Sequence, residues 1–117
     1  MATAYKLLSG STNGKPIKVV ATATPGTTIH TAVTGTASVD IMRLVAHNSD
    51  TSARTLTVEF GGATDPDDLI VKTMSIPANS SVPVVVDIPL QNALVIKAFA
   101  SAASVVTITG EVKNITL

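Results

Sequence analysis

The chain contains no cysteine among its 117 residues. Disulfide bonds, thiolate nucleophiles and cysteine-based zinc sites are therefore excluded. A chain of this length forms one domain and buries about two-thirds of its unfolded surface, which is enough for a hydrophobic core. We therefore expect a fold that does not depend on the redox state of its compartment.

Charge is scarce and balanced. Charged residues make up 14% of the chain, with eight basic and eight acidic side chains, and hydrophobic residues make up 45%. Such a composition argues against disorder, which requires low hydrophobicity and high net charge. The lysines and arginines are scattered, so no basic stripe can follow a phosphate backbone, and we expect no direct nucleic-acid binding.

Long apolar runs are also missing. The first 15 residues lack the apolar centre of a signal peptide, and no run approaches the length of a membrane span. We therefore expect a protein made and used in soluble form, starting in a cytoplasm, with no membrane partner.

Aromatic side chains are limited to Tyr5, Phe60 and Phe99. Surfaces that bind sugars or single-stranded nucleic acids usually present aromatic rings for stacking. Phe60 and Phe99 are predicted to lie in the core and Tyr5 to be free, so the sequence gives little support to a lectin-like function.

Residues for catalysis are few and are not arranged in a motif. His30 and His47 are the only histidines, and neither lies in an HExxH segment. No serine lies in a GxSxG turn, and Gly61-Gly62 is not followed by the GK[ST] of a phosphate loop. We predict no catalytic residue, no cofactor and no enzyme activity.

The residues that are abundant favour β-strands. Valine, threonine and isoleucine dominate, and their branched side chains suit pleated surfaces. The clearest strand is 54–60, where Leu56, Val58 and Phe60 alternate with polar residues. The strand at 39–47 is predicted to be central and buried on both faces, and Pro83 in the sixth strand favours an edge or a strand-start position. The eight predicted strands are 17–24, 28–33, 39–47, 54–60, 69–76, 82–88, 93–100 and 105–112.

Eight short strands at this spacing are typical of sandwiches and barrels. The sequence therefore predicts an all-β fold, a single-domain antiparallel β-sandwich that is jelly-roll-like. Residues 16–117 form the sandwich, and residues 1–15 form an extended, loosely attached N-terminal arm. The strand order is left open.

Two stretches hold candidate contact residues. Asp65, Asp67 and Asp68 follow Gly61-Gly62, and their carboxylates suit a hard cation such as Ca²⁺, but the spacing of an EF-hand is absent. A solvated turn is the favoured interpretation, with Asp67 and Asp68 as exposed protein contacts. In the arm, Tyr5, Leu7 and Leu8 are predicted to bind a neighbour, either by ordering on binding or by adding a strand to its sheet.

Several segments together resemble small proteins of tailed bacteriophages whose genes lie among the virion morphogenesis genes. The matching features are KPIKVVATATPGTTIHTAVTG at 15–35, Asn48, FGG at 60–62 with its acidic loop, and ITGEVKNI at 108–115. The resemblance implies a head decoration or cement protein on the capsid exterior, assembled in the host cytoplasm. Its implied partners are the major capsid protein and further copies of itself, as a trimer or dimer.

Two other functions remain open at this point. The first is a ring component of the neck or tail, and the second is a module displayed on the particle that binds host-surface glycan. The resemblance brings no catalytic residues with it.

Overall fold

A computed structural model describes residues 2–117, which form nine β-strands and no helix. The predicted all-β fold is confirmed. None of these residues therefore belongs to an apolar helix long enough to cross a bilayer. The strands are β1 (Thr3–Lys6), β2 (Ile17–Lys18), β3 (Thr27–Thr31), β4 (Ser38–Asn48), β5 (Arg54–Phe60), β6 (Leu69–Ile76), β7 (Ser80–Leu90), β8 (Val95–Ala100) and β9 (Val106–Thr116).

The strands form two antiparallel sheets that pack face to face. Sheet I has the order β1-β9-β4-β7, and β2 pairs with β9 along the same edge as β1. Sheet II has the order β3-β8-β5-β6. The chain changes sheet at every connection from β2 to β9 except between β5 and β6, which is the connectivity of a jelly roll. The eight predicted strands correspond to β2–β9, and β1 is a ninth strand within the segment predicted to be an arm.

The core lies between the sheets and follows the period-two alternation of the strands. In β4, Met42, Leu44 and Ala46 are fully buried, and the intervening residues face outward. The predicted central position of this strand is confirmed, since β4 lies between β9 and β7. The prediction that both of its faces are buried is wrong, because Arg43 on the outer face is exposed.

The outer face of sheet II is partly covered by the loop that follows β2. Leu56 and Val58 fill the core as predicted, but Thr57 and Glu59 are buried as well. The Glu59 carboxylate accepts hydrogen bonds from the Gly26 N–H at 2.6 Å and the Thr24 hydroxyl at 2.5 Å. The loop is thus fastened over β5 by a buried acidic side chain, which sequence alternation alone assigns to solvent.

Phe99 differs from its predicted place. Ile96, Ala98 and Ala100 point inward and are buried. Phe99 therefore points outward, opposite Thr57 on the neighbouring strand, and is only half-buried. Phe60 packs against the core, as predicted.

Several strand limits also differ from the predicted ones. The first predicted strand shortens to Ile17–Lys18, because after Val19, which still donates to the Val106 carbonyl of β9, the chain crosses to Ala100 of sheet II. β7 continues past its predicted end at Pro89, and the edge position predicted from Pro83 is confirmed. A proline is tolerated there because half of the N–H groups in an edge strand have no partner strand to bind.

The N-terminal segment is extended, as predicted, but it is not loosely attached. β1 pairs with residues 112–115 of β9, and the side chain of Leu8 is only 3% exposed. The Gly10 N–H then donates to the Ile29 carbonyl at 2.9 Å. The segment therefore binds the edges of its own two sheets, and the expectation of a loose arm is corrected.

Candidate protein-contact surface

The acidic loop after β5 is built as a turn. The Asp68 carboxylate accepts a hydrogen bond from the Thr64 N–H at 3.0 Å, and the Asp68 N–H donates to the Thr64 carbonyl at 2.8 Å. A Cβ atom at Gly62 would overlap the Asp68 carboxylate, so any larger residue there would displace that side chain from the turn. Asp68 is therefore occupied in closing the loop rather than presented to a partner.

The other two carboxylates of the loop have separate environments. Asp65 forms an exposed ion pair with Lys72 at 2.8 Å, and Asp67 is exposed. Across residues 2–117, no three potential metal ligands form a group that could hold an ion. The structure does not bring Asp65, Asp67 and Asp68 together as the Ca²⁺ hypothesis requires, and only Asp67 remains suited to a protein contact.

The three contact candidates of the N-terminal segment fall into two environments. Tyr5 is 72% exposed and Leu7 is 60% exposed. Leu8 lies in the core of its own chain, so its predicted role as a contact to a neighbour is corrected. One apolar side chain of the segment, that of Leu8, thus packs in the core of its own chain, and two, those of Tyr5 and Leu7, are exposed to solvent.

Tyr5 belongs to a larger apolar area on the outer face of sheet I. Direct cross-strand pairing aligns Tyr5 with Lys113, Ile41 and Pro89 in one row across four strands. In the adjacent row, Ile115 pairs with both Thr3 and Val39. We call this area the Tyr5 face, and its apolar members are Tyr5, Val39, Ile41, Pro89 and Ile115.

The sequence contains a signal for the Tyr5 face. Apart from Asp40 and Arg43, residues 39–46 are apolar at both odd and even positions, which a strand buried on both sides also produces. The structure shows that only the even positions reach the core. The apolar odd positions therefore mark an outer surface with no covering element among residues 2–117.

The other half of the same outer face is polar. Arg43 lies opposite Glu111 and is 3.8 Å from the Asp87 carboxylate. The His47 ring nitrogens lie 2.6 Å from the Ser81 hydroxyl and 2.7 Å from the Thr109 hydroxyl. His47 thus bridges three strands through hydroxyl groups, so the two halves of this face differ sharply in character.

A buried polar network holds β1 in place beneath the Tyr5 face. Asp40 is fully buried, and its carboxylate accepts hydrogen bonds from the Lys6 ammonium at 2.9 Å, the His30 ring at 2.9 Å and the Asn114 amide at 2.8 Å. The Val33 N–H also donates to it at 3.1 Å. Because Lys6 points inward to Asp40, its neighbour Tyr5 must point outward.

The network sets the protonation of its members. The His30 Nδ1 accepts from the Ser9 N–H at 2.9 Å, so Nε2 carries the proton that is donated to Asp40. Burial by itself raises the pKa of Asp40, but the hydrogen bonds from Asn114, His30 and Lys6 hold the pKa below its ordinary value. Asp40 is therefore a carboxylate that joins β1, β3, β4 and β9.

A second surface feature lies on the outer face of sheet II. Phe99 lines a shallow depression of about 180 Å³. The Thr57 hydroxyl accepts from the Thr73 N–H, and the Ser101 hydroxyl accepts from the Thr55 N–H, each at 3.0 Å. These hydroxyl groups keep their protons for donation. The lining is Thr22, Thr55, Thr57, Thr73, Phe99, Ala100 and Ser101.

No protein-family model, no curated protein and no solved structure matches this chain.

Proposed function

We propose that this protein is a structural virion protein of a tailed phage, a head decoration protein that binds the major capsid protein. The observation that carries the proposal is the Tyr5 face, in which Tyr5 and Pro89 are exposed and Val39, Ile41 and Ile115 are half-buried, on a chain with no net charge. Contiguous exposed apolar surface is typical of protein–protein interaction sites. The jelly-roll connectivity and the resemblance of the sequence to phage virion proteins support the same function.

The Tyr5 face has the composition of an interface centre. Tyr5 offers a large ring with a terminal hydroxyl, the type of side chain that most often dominates binding energy. Ile41 and Pro89 extend the apolar area, and the stem of Lys113 lies between Tyr5 and Ile41. Burying this face across a junction between capsid subunits would oppose the separation of those subunits, and many copies would add their contributions.

The Asp40 network makes this surface rigid before binding. Lys6 is anchored to a fully buried carboxylate, and β1 is paired along its length with β9. A segment that is already ordered loses less conformational entropy on binding. Tyr5 is therefore presented as a fixed anchor.

Binding of purified protein to undecorated capsids tests the proposal. Tyr5→Ser and Ile41→Thr should each lower capsid occupancy at least tenfold in a pelleting titration, because each removes apolar contact area at the centre of the face. Thr107→Ala, on the polar half of the same sheet, is the matched control and should bind like the natural chain. Unchanged binding by both face variants would overturn the proposal.

The acidic loop is tested in the same titration. Asp67→Lys reverses the charge of the exposed carboxylate without touching the hydrogen bonds of Asp68. Loss of binding would add this loop to the contact surface, and unchanged binding would confine the surface to sheet I.

The number of copies per particle separates the head from the neck and tail. A decoration protein occurs on the order of hundreds of copies, whereas a neck or tail ring holds about six to twelve. Quantitative gel densitometry of purified particles against the major capsid protein measures this number. A ring-like copy number would replace the decoration role by the neck or tail role.

The depression around Phe99 favours a second candidate, a binding site for a neutral glycan. One aromatic ring and several hydroxyl groups line a shallow site that holds no charged side chain. A glycan array probed with the purified protein should show binding that Phe99→Ala abolishes and Tyr5→Ser leaves intact. Absence of binding on the array would remove this candidate.

A further inference from the structure

Three of the four sheet edges are protected against pairing with another strand. In β7, Pro83 lies opposite Val45 and Pro89 lies opposite Ile41. The N–H of Leu117, directly after β9, donates to the Ala37 carbonyl, and every second residue of an antiparallel strand faces the same partner. The backbone groups of Ile41 and Val45 therefore face β9 and not β7. The missing N–H groups of both prolines would therefore point to the open side. Two register shifts also kink β7. Prolines and bulges are standard means of blocking edge pairing.

Both edges of sheet II are protected as well. β6 has two register shifts against β5, and Thr73 within it has a φ of 47°. β3 is covered by the chain itself, because the Gly10 N–H donates to the Ile29 carbonyl and the Thr31 N–H donates to the Ser9 hydroxyl. Neither strand offers a regular ladder of free backbone groups.

β1 has none of these protections. Its four residues pair with β9 in unbroken register and include no proline. The Ala2 carbonyl accepts from the Thr116 N–H at 2.9 Å, so the backbone groups of Ala2, Ala4 and Lys6 face β9. Those of Thr3 and Tyr5 face away, and within residues 2–117 no hydrogen bond reaches them on that side.

We propose that β1 pairs antiparallel with β1 of a second copy of this chain about a twofold axis at Ala4. Thr3 of each copy then lies opposite Tyr5 of the other, and each such pair exchanges two backbone hydrogen bonds. Ala4 lies opposite its own symmetry mate at the closest separation in the ladder, where its small side chain fits. This goes beyond the proposed function, because the pairing requires no capsid.

Charge and surface continuity favour a second copy as the occupant. Lys6, the basic residue of β1, is paired with Asp40 in its own chain, so two approaching edges do not bring two unpaired cations together. The pairing joins both copies of sheet I into one continuous sheet that is eight strands wide along the row containing β1. The two Tyr5 faces then lie on the same side and adjoin across the axis.

The edge contact is small, and this sets the expected strength. Three paired residues on each side bury less than the roughly 1,200 Å² of a standard stable interface. The dimer should therefore be weak in dilute solution and favoured when two copies bind neighbouring sites on a particle.

Cysteine cross-linking of the purified protein tests the geometry, since the natural chain has no cysteine. In Ala4→Cys, the two Cα atoms should lie about 4.5 Å apart, within the range that a disulfide spans. We expect oxidation to yield a covalent dimer at least tenfold faster than in Asp87→Cys on the protected β7 edge. Thr3→Cys, with its Cα atoms about 9 Å apart in this register, should also cross-link slowly.

A backbone variant shows whether edge pairing causes the cross-link. Thr3→Pro removes an N–H that points away from β9, so in the Ala4→Cys background it should suppress the dimer at unchanged melting temperature. Thr3→Ala keeps the N–H and should retain the dimer. Cross-linking no faster than in Asp87→Cys, or unaffected by Thr3→Pro, would overturn the proposal.

The capsid titration distinguishes the alternative occupant. If Ala4→Cys fails to cross-link but Thr3→Pro lowers capsid occupancy, the open edge takes a strand of the capsid protein and the second-copy proposal is wrong. Because cross-linking is measured without capsids, its failure leaves the decoration role standing, and failed capsid binding leaves the dimer standing.

Discussion

Sheet I ends in two different ways. At one side, β7 carries two prolines and two bulges, and two of its outward backbone positions lack donors. At the other side, β1 is short, regular and free of proline, and its outward backbone groups are complete. The prolines and bulges of β7 block pairing with a further strand. β1 is held to the molecule by the Asp40 network, and its outer edge remains able to pair with another strand.

The two edges of sheet I therefore differ in whether another strand can pair with them. An unprotected regular edge is a site for aggregation unless a specific partner occupies it. In this chain the open edge coincides with the most exposed aromatic residue, Tyr5, and adjoins the apolar half of the outer face. The protected edge borders both halves, because Pro89 of β7 belongs to the Tyr5 face and Ser81 of β7 lies beside His47. The β1 edge is thus the one that combines free outward backbone groups with an exposed aromatic side chain.

The largest effect is expected where β1 is anchored. Asp40→Ala leaves the His30, Asn114 and Val33 donors without their buried acceptor and should lower the free energy of unfolding by about 3 kcal/mol. Asp87→Asn, in the opposite edge strand, is the matched control and should change it by less than about 0.5 kcal/mol, because asparagine tolerates the positive φ of this position. Urea unfolding followed by circular dichroism measures both, and equal effects would contradict the contrast between the two edges.

The next effect concerns the adjacent leucines of the N-terminal segment. Leu8→Ala should cost about 2 kcal/mol because it opens a cavity in the core, whereas Leu7→Ala at the surface should cost less than about 0.5 kcal/mol. Thermal and urea unfolding provide the comparison. A small loss in Leu8→Ala would show that the segment is not part of the cooperative fold.

Lowering the pH should remove the stabilisation that the Asp40 network provides. The folded state holds the pKa of Asp40 below its ordinary value of 3.8, so between the two values the unfolded state binds more protons. This contribution to stability is complete above pH 3.8 and is lost as the pH falls through the folded pKa.

Unfolding free energies measured from pH 5 to pH 2 check this, and Asp40→Asn should flatten the profile. Hydrogen bonding from Arg54 also lowers the pKa of Asp50, near the surface, so Asp50→Asn should flatten it less. A steeper loss in either variant than in the natural chain would reverse the expected sign.

The smallest effect on stability is expected from opening the protected edge. Pro83→Val with Pro89→Val restores two N–H groups on the outer side of β7 and should change the unfolding free energy by less than about 1 kcal/mol. Association should nevertheless increase, because a second edge becomes available. Sedimentation velocity across a concentration series measures it, with the natural chain as control. Unchanged association would show that the bulges alone protect β7.

Much of the fold is predictable because its strands carry local signals. Arg54–Phe60 and Leu69–Ile76 have the predicted limits, since alternation is strong and glycine, proline or polar loops bound them. The edge position of β7 follows from Pro83, because proline cannot serve a central ladder. These features depend on residues close together in the sequence.

The rest depends on contacts between distant residues. β1 has no burial period, and all four of its residues are exposed, so only its pairing with residues 112–115 identifies it as a strand. The burial of Glu59 results from a loop more than 30 residues away, and the position of Asp40 results from four separate strands. Of the contact candidates, Tyr5 and Leu7 are predictable as exposed apolar residues, but the partners of Tyr5 on β4 and β9 are not.

The place of β9 in sheet I also has a kinetic consequence. Ile17 pairs with Ile108, and Thr3 pairs with Ile115. The two N-terminal strands therefore cannot pair with β9 until it has been synthesised, about 90 to 110 residues later. Closing such long loops before any contact forms is slow. We expect newly made chains to expose β4 and both N-terminal strands as unpaired edges until β9 inserts between them. The speed of that insertion would then set how much of the newly made protein escapes aggregation.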